Sequence, residues 1–308
     1  MTRSEFLFTA IDVLFHPAQN YRRYKGIVKE KEFAYDESRP DECNGEIYYD
    51  PALLGEKKLP VVLNIHGGGF VKGDKKHRKS LCKRFAHHGY FTVNINYGLS
   101  PRRAFPVPLA DCVNALNYLT VLAEKYNIDL DKVCVTGDSA GAYCATQLVS
   151  LANSEEQRAA LGIPEFKVKP ALLVSFCGPY DLIASIELTK LPFNLVWDIG
   201  RCYLGADFGL KKDFSNIKDY PYIKEICPSN FVNSNWCPSF LVMSKKDIFC
   251  KGQGEILAKL LIDAVVETET YSSTKFIDNH CFHMNMWTKP SKECFEKVFA
   301  FMDKHLKG

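Results

Sequence analysis

Apolar residues fall into short continuous runs separated by amphipathic stretches along most of the chain. Val61-Val62-Leu63-Asn64-Ile65 predicts a buried strand, and 79–88 a helix stopped by Gly89. A strand over 90–95 follows. Residues 107–126 then predict one long helix, opened by Pro106 and Pro108 and carrying Val113, Leu116, Leu119, Leu122 and Ala123 at helical spacing. Further strands are expected over 132–136, 171–176, 239–243 and 268–277, with helices over 140–151, 255–265 and 290–306.

Strands that alternate with helices and read as continuous apolar runs predict an α/β fold with a mostly parallel sheet and helices on both faces. Two regions break the rhythm. Residues 1–25 read as helical. The stretch between Leu182 and Trp236 carries no strand pattern but many aromatics: Phe193, Trp197, Tyr203, Phe208, Tyr220, Tyr222 and Phe231. A connection that long inside an α/β domain is either functional or a small subdomain. The two regions could pack together as a cap or form a surface excursion with its own small core.

Composition narrows the class. The 308 residues are 46% hydrophobic and 24% charged, enough apolar side chain to offset chain entropy, so disorder is excluded as the main state. No repeat, low-complexity tract or Gly/Ser linker divides the chain, and no apolar run approaches the roughly 18 residues of a membrane helix. A net charge of +3 argues against a general polyanion binder. The basic residues Lys72, Lys75, Lys76, Arg78 and Lys79 read as a solvated loop and helix start rather than a nucleic-acid patch. The twelve cysteines show no Cys-x-x-Cys pair, and Cys134 sits inside the apolar Val133-Cys134-Val135. They are expected to be reduced small hydrophobes. The apolar stretch 6–15 carries Asp12 and leads to no small-residue cleavage site, so the expected location is cytoplasmic.

Gly137-Asp138-Ser139-Ala140-Gly141 lies between a predicted strand and a predicted helix. In that setting Gly-x-Ser-x-Gly forms a tight, strained turn that lifts a serine hydroxyl to the strand's C-terminal end, at a helix N-terminus that favours developing negative charge. His66-Gly67-Gly68-Gly69-Phe70 follows the strand ending at Ile65. Three consecutive glycines expose backbone N–H groups of the kind an oxyanion hole uses. A phosphate loop would end in Gly-Lys-Ser/Thr, which is absent. His66 reads as a structural histidine bracing the loop. No metal-ligand spacing and no dinucleotide fingerprint occurs, so no metal and no cofactor is expected. Two aspartates, Asp181 and Asp247, follow predicted strands, and two histidines, His280 and His283, follow the last one.

From residue 58 onward the chain resembles the hormone-sensitive-lipase family of α/β-hydrolases. The likeness rests on His66-Gly67-Gly68-Gly69-Phe70 and Gly137-Asp138-Ser139-Ala140-Gly141. Between them, Asn96-Tyr97-Gly98-Leu99-Ser100-Pro101 is similar to the family's Tyr-Arg-Leu-Ala-Pro-Glu segment, with Gly98 in place of Arg and Arg102 in place of Glu. The resemblance implies a single α/β-hydrolase domain over 1–308 with a helical cap from about 1–25 and 183–235. It places the triad acid after the second-last strand, which selects Asp247. Asp181 is then expected to cap the helix that follows it. The family's His-Gly-Phe motif is matched by His280-Cys281-Phe282, which selects His280 over His283.

The resulting expectation is a serine carboxylesterase acting on soluble esters with acyl chains of about two to six carbons. Its triad would be Ser139, Asp247 and His280, and its oxyanion donors the N–H groups of Gly67, Gly68 and Ala140. Relatives on this fold also include amidases and deacetylases, and receptors that have lost the histidine; the presence of all three triad residues favours an enzyme. The expected partner is a small ester, with no nucleic acid and no membrane insertion, and a homodimer is left open. No apolar run outside the core strands suggests a lipid-interface lid.

Overall fold

The structure, a computed structural model, describes the chain except residues 56, 190, 209–213 and 276–277 and the side chain of Phe193. Nine strands form one sheet: β1 (Val28–Lys29), β2 (Phe33–Ala34), β3 (Asn44–Tyr49), β4 (Leu59–Ile65), β5 (Phe91–Ile95), β6 (Ile128–Asp138), β7 (Leu172–Phe176), β8 (Ser239–Ser244) and β9 (Thr268–Ser273). Their order is β1-β3-β5-β4-β6-β7-β8-β9, with β2 also paired to β3. From β5 through β9 every pair is parallel; β1, β2 and β3 add an antiparallel edge.

Among the described residues ten α-helices accompany the sheet: α1 (Arg3–Gln19), α2 (Lys79–His87), α3 (Val107–Asn117), α4 (Leu119–Lys125), α5 (Ala140–Asn153), α6 (Glu155–Leu161), α7 (Leu182–Leu188), α8 (Leu195–Leu204), α9 (Gln253–Asp263) and α10 (Lys289–Leu306). The strand period of two divides the core. Val61, Leu63 and Ile65 of β4, with Leu173 and Leu241, share a cluster with Val113 of α3, Leu148 of α5 and Leu257 of α9. Val62, Leu172, Val174, Phe176, Phe240 and Val242 share the other cluster with Phe85 of α2 and Phe295 of α10. Both faces of the parallel strands are therefore covered, which is why their sequences read as unbroken apolar runs.

The structure departs from the sequence reading at a few places, each with a local cause. The helix expected over 107–126 breaks at Tyr118. There the Thr120 hydroxyl takes the Asn117 carbonyl at 2.8 Å, and the Tyr118 ring stacks on Phe33 at 5.0 Å. The edge strands β1–β3 and the short α6 were not foreseen. β3 escapes the apolar pattern because its buried centre is Glu46, only 1% exposed, which pairs with Lys29 at 2.5 Å and accepts hydrogen bonds from Tyr48 and Asn94. The last strand ends at Ser273; Ile277, the expected end, lies outside the described residues. Lys75 and Arg78, expected in a solvated run, are each 4% exposed. All twelve cysteines are free thiols.

No strand occurs among the described residues between β7 and β8, and that segment meets the N-terminal helix. Ser4 donates to Asp198 Oδ2 of α8 through its backbone N–H at 2.8 Å and its hydroxyl at 2.6 Å. Phe8, Val71 and Cys202 form a small core between α1, the glycine loop and α8.

Candidate active site

β6 runs directly into α5 through one residue. Ser139 has φ +53° and ψ −119°, outside the usual regions for a side-chain-bearing residue. Its N–H donates to the Phe176 carbonyl at 2.9 Å, which pins the turn to β7. The turn is possible because α5 approaches β4 without side chains between them: a Cβ on Gly141 would lie 2.0 Å from the Ile65 carbonyl oxygen. Gly67 has a similar constraint, since its Cβ would lie 2.4 Å from the Asp138 carbonyl oxygen. The glycine loop thus rests against the serine turn.

His66 is 1% exposed and braces this loop. Its Nδ1 donates to the Gly67 carbonyl at 2.8 Å, its ring stacks on Tyr97 at 4.7 Å, and its own carbonyl accepts from the Tyr97 hydroxyl at 3.0 Å. Burial pushes the ring's pKa down to about 4, so it stays neutral.

Asp247 and His280, the expected acid and base, come from the loops after β8 and β9. His280 Nδ1 lies 3.0 and 2.9 Å from the two Asp247 oxygens. Asp247 is 4% exposed, and its Oδ1 also accepts from the N–H groups of Phe249 and Cys250, both at 2.8 Å. Burial acts to raise the carboxyl's pKa, but His280 and the two N–H groups outweigh it and hold it below the ordinary value. The competing residues have other places. Asp181 caps α7 by accepting from the Ala184 N–H at 2.9 Å. His283 is fully buried, stacked on Phe176 at 4.1 Å, and burial drives its pKa down to about 3.

Two cavities meet at Ser139. One, of about 100 Å³, is lined almost wholly by apolar groups, among them Phe70, Leu182, Ile186, Val196, Ile199 and Tyr203, together with Gly69 and Ala140. The other, of about 440 Å³, is lined by His280, Cys281, Gly68, Asn279 and Asn285 and by the inner face of α1 through Leu7, Ile11, Asp12 and His16. Phe8 and Phe249, with ring centroids 6.1 Å apart, border both. Ser139 and His280 share the larger cavity; no hydrogen bond joins them among the described residues, and such bonds often tighten only once substrate is bound. Of the three expected N–H donors, Gly68 and Ala140 border the cavities and Gly67 does not, while Gly69 does.

Sequence reasoning missed the charge network beneath the serine. Asp138, 2% exposed, receives Arg78 Nε at 2.5 Å and Nη2 at 2.6 Å. Burial acts to raise the Asp138 pKa, and the guanidinium overcomes it and holds the carboxyl far below the usual range. Arg78 Nη1 also lies 3.0 Å from His16 Nε2, and His16 Nδ1 lies 3.0 Å from Asp12 Oδ1. The available clue was the acid at the second position of Gly-Asp-Ser-Ala-Gly, which needs a cation if the turn is buried.

The fold gathers donor sets that linear spacing did not reveal. Asp12, His16 and His77 converge, as do Cys177, His280 and Cys281, and Asp247, Cys250 and His280. A guanidinium can only donate, so His16 Nε2 accepts from Arg78 and its proton sits on Nδ1, toward Asp12. The carboxylate of Asp12 lies 3.0 Å from the His16 ring nitrogen and 3.6 Å from that of His77. The other two sets share His280, whose Nδ1 faces Asp247.

A model of the BD-FAE family matches residues 46–261. A putative alpha/beta hydrolase of Acanthamoeba polyphaga mimivirus is 36% identical over 95 residues, 30% of this chain and 28% of that protein. Esterase LipQ of Mycobacterium tuberculosis is 25% identical over 230 residues, 74% of this chain and 51% of LipQ. The chain therefore spans at most about half the length of these two curated relatives. Among solved structures, esterase B from Lactobacillus rhamnosis superposes with a TM-score of 0.83 at 21% identity, covering 98% of this chain and 94% of that one. The fold is that of the α/β-hydrolases.

The buried histidines predict acid sensitivity. Unfolded, His66 and His283 take up protons near pH 6.5; folded, they resist down to about pH 4 and about pH 3. The unfolded state binds more protons in that window, so stability is complete above pH 6.5 and is lost as pH falls below it. At pH 5 each ring should remove on the order of 2 kcal/mol. Urea unfolding at pH 7.5 and pH 5 should record the loss, and His283→Phe should remove that one ring's share of it, on the order of 2 kcal/mol. Equal stability at both pH values would contradict the assignment.

Proposed function

We propose that this chain, which belongs to the BD-FAE family within the hormone-sensitive-lipase type of α/β-hydrolase, hydrolyses carboxylic esters of small substrates through an acyl-enzyme on Ser139. The observation that carries the reading is the Asp247–His280 pair opening onto the same cavity as a serine held at φ +53° on a helix N-terminus. Paired with Asp247, Nδ1 keeps its proton, so Nε2 is the basic nitrogen.

In this mechanism His280 Nε2 takes the Ser139 hydroxyl proton as Oγ bonds to the ester carbonyl carbon, and Asp247 stabilises the imidazolium. The carbonyl oxygen becomes an oxyanion held by the Ala140, Gly68 and Gly69 N–H groups, with Gly67 setting the close approach of the loop. Collapse breaks the bond to the alcohol oxygen, which leaves with the proton from His280. Water, deprotonated by His280, then attacks the acyl carbon; Ser139 regains its proton as the acid departs.

The two cavities divide the substrate. The small apolar cavity of about 100 Å³ suits a short acyl chain, and the larger cavity with its Asn279, Asn285 and His16 wall suits the alcohol. Segments 1–25 and 183–235 act as the cap that closes both. Esterase B, the structural neighbour, was solved inhibited by a C4-C4 tributyrin phosphonate, a short-acyl compound.

Ser139→Ala should abolish hydrolysis of nitrophenyl acetate, and His280→Ala should lower kcat by about 10³-fold or more. His283→Ala should cost far less. If His283→Ala proves the more damaging of the two, the base is misassigned.

Across nitrophenyl esters from acetate to palmitate, kcat/KM should rise by at most about fourfold per added methylene and fall once the chain outgrows the cavity, at about six carbons. A maximum at or beyond twelve carbons would exclude the short-acyl reading.

A further inference from the structure

The sequence showed no apolar run that suggests a lipid-binding lid, yet the structure exposes an apolar face that is not a run. On α1, Phe6 is 64% exposed, Val13 68% and Leu14 71%. With Ala10 and Pro17 they follow the spacing of a single helical stripe, which scatters them along the sequence. Behind the stripe, Ser4 and Phe8 are buried and Leu7 and Ile11 line the larger cavity. The helix is thus apolar on both sides: one side roofs the site, and the other meets solvent.

No carboxylate belongs to the outer stripe. Glu5 turns back to accept from the Thr2 N–H at 2.6 Å, and Asp12 faces His16 and His77. The chain then continues Tyr21-Arg22-Arg23-Tyr24-Lys25. Among the described residues Arg23 and Lys25 are exposed and form no ion pair, whereas Arg22 is half-buried in a groove shared with Glu296 and Asp303 of α10. Tyr21, 56% exposed, has its ring 6.1 Å from that of Trp287, 44% exposed. Phe15 and Ile248, 56% and 51% exposed, edge the cavity mouth.

An exposed apolar stripe flanked by unpaired cations and amphipathic rings matches a surface that is apolar inside and negative at its boundary. We infer that α1 lies in the plane of an anionic lipid surface, its Phe6–Val13–Leu14 stripe among the acyl chains and Arg23 and Lys25 against the headgroups. The cavity mouth then opens onto that surface. The helix does not cross it: no helix among the described residues is long and apolar enough to span a membrane.

Binding can be read without turnover, so the inference stands or falls separately from the esterase reading. Ser139→Ala protein is floated with vesicles of phosphatidylcholine alone and of phosphatidylcholine with a third phosphatidylglycerol. It should float with the anionic vesicles and remain behind with the neutral ones. Arg23→Gln with Lys25→Gln should weaken binding by about thirtyfold, and raised salt should weaken it as well. Val13→Asp with Leu14→Asp should abolish flotation while leaving the thermal unfolding midpoint and, in the Ser139 parent, nitrophenyl acetate hydrolysis unchanged. A protein that ignores anionic vesicles, or a Val13→Asp/Leu14→Asp variant that still floats, overturns the inference. So does sedimentation equilibrium that finds a dimer which this variant dissolves, because a second copy would then cover the face.

Discussion

The Asp138 carboxylate lies beside the strained Ser139, almost wholly out of water, and the Arg78 guanidinium grips both of its oxygens. A buried charge without a partner costs roughly 3–5 kcal/mol, so the turn that presents the serine is stable only with Arg78 in place. Arg78 ends the short helical turn Lys75–Arg78 that leads from the glycine loop into α2, and its third nitrogen reaches His16 on α1. One ion pair therefore joins the Ser139 turn, the segment after the glycine loop and α1. The position of α1 and the geometry of the serine turn are held by the same contact.

Backbone strain concentrates at the same place. Seven described non-glycine residues have positive φ; three of them, Phe70, Ser139 and Cys281, line the two cavities, and a fourth, Cys177, lies beside His280 and Cys281. Such conformations persist only where packing over-determines them. Cys281, at φ +55° and ψ 33°, occupies the position where the family motif has glycine, and the left-handed conformation explains that preference. Here a thiol stands at that corner, between His280 and Asp138.

The parallel strands were legible because they are buried on both faces, and the glycine loop and serine turn because each sits directly after such a strand. The edge strand β3 was hidden by Glu46, a charge whose partners on β1 and β5 only the fold assembles. Residue type alone could not separate Asp247 from Asp181 or His280 from His283; the resemblance to the family's acid position and His-Gly-Phe motif selected between them. The structure makes the difference physical, with Asp181 spent on a helix cap and His283 sealed against Phe176. Arg78 was read as one of a solvated run because sequence spacing carries no record of Asp138, sixty residues away. The outer stripe of α1 escaped notice for the converse reason: a helical period disperses an apolar face that only the folded helix brings together.

The central claim is that Ser139 is a nucleophile activated through His280 and Asp247. Reaction with a fluorophosphonate, followed by proteolysis and mass spectrometry, tests it most directly. The account predicts one phosphonyl adduct, on the peptide containing Ser139, and almost none in His280→Ala protein. An adduct on another serine, or labelling of Ser139 that survives loss of His280 undiminished, would contradict it.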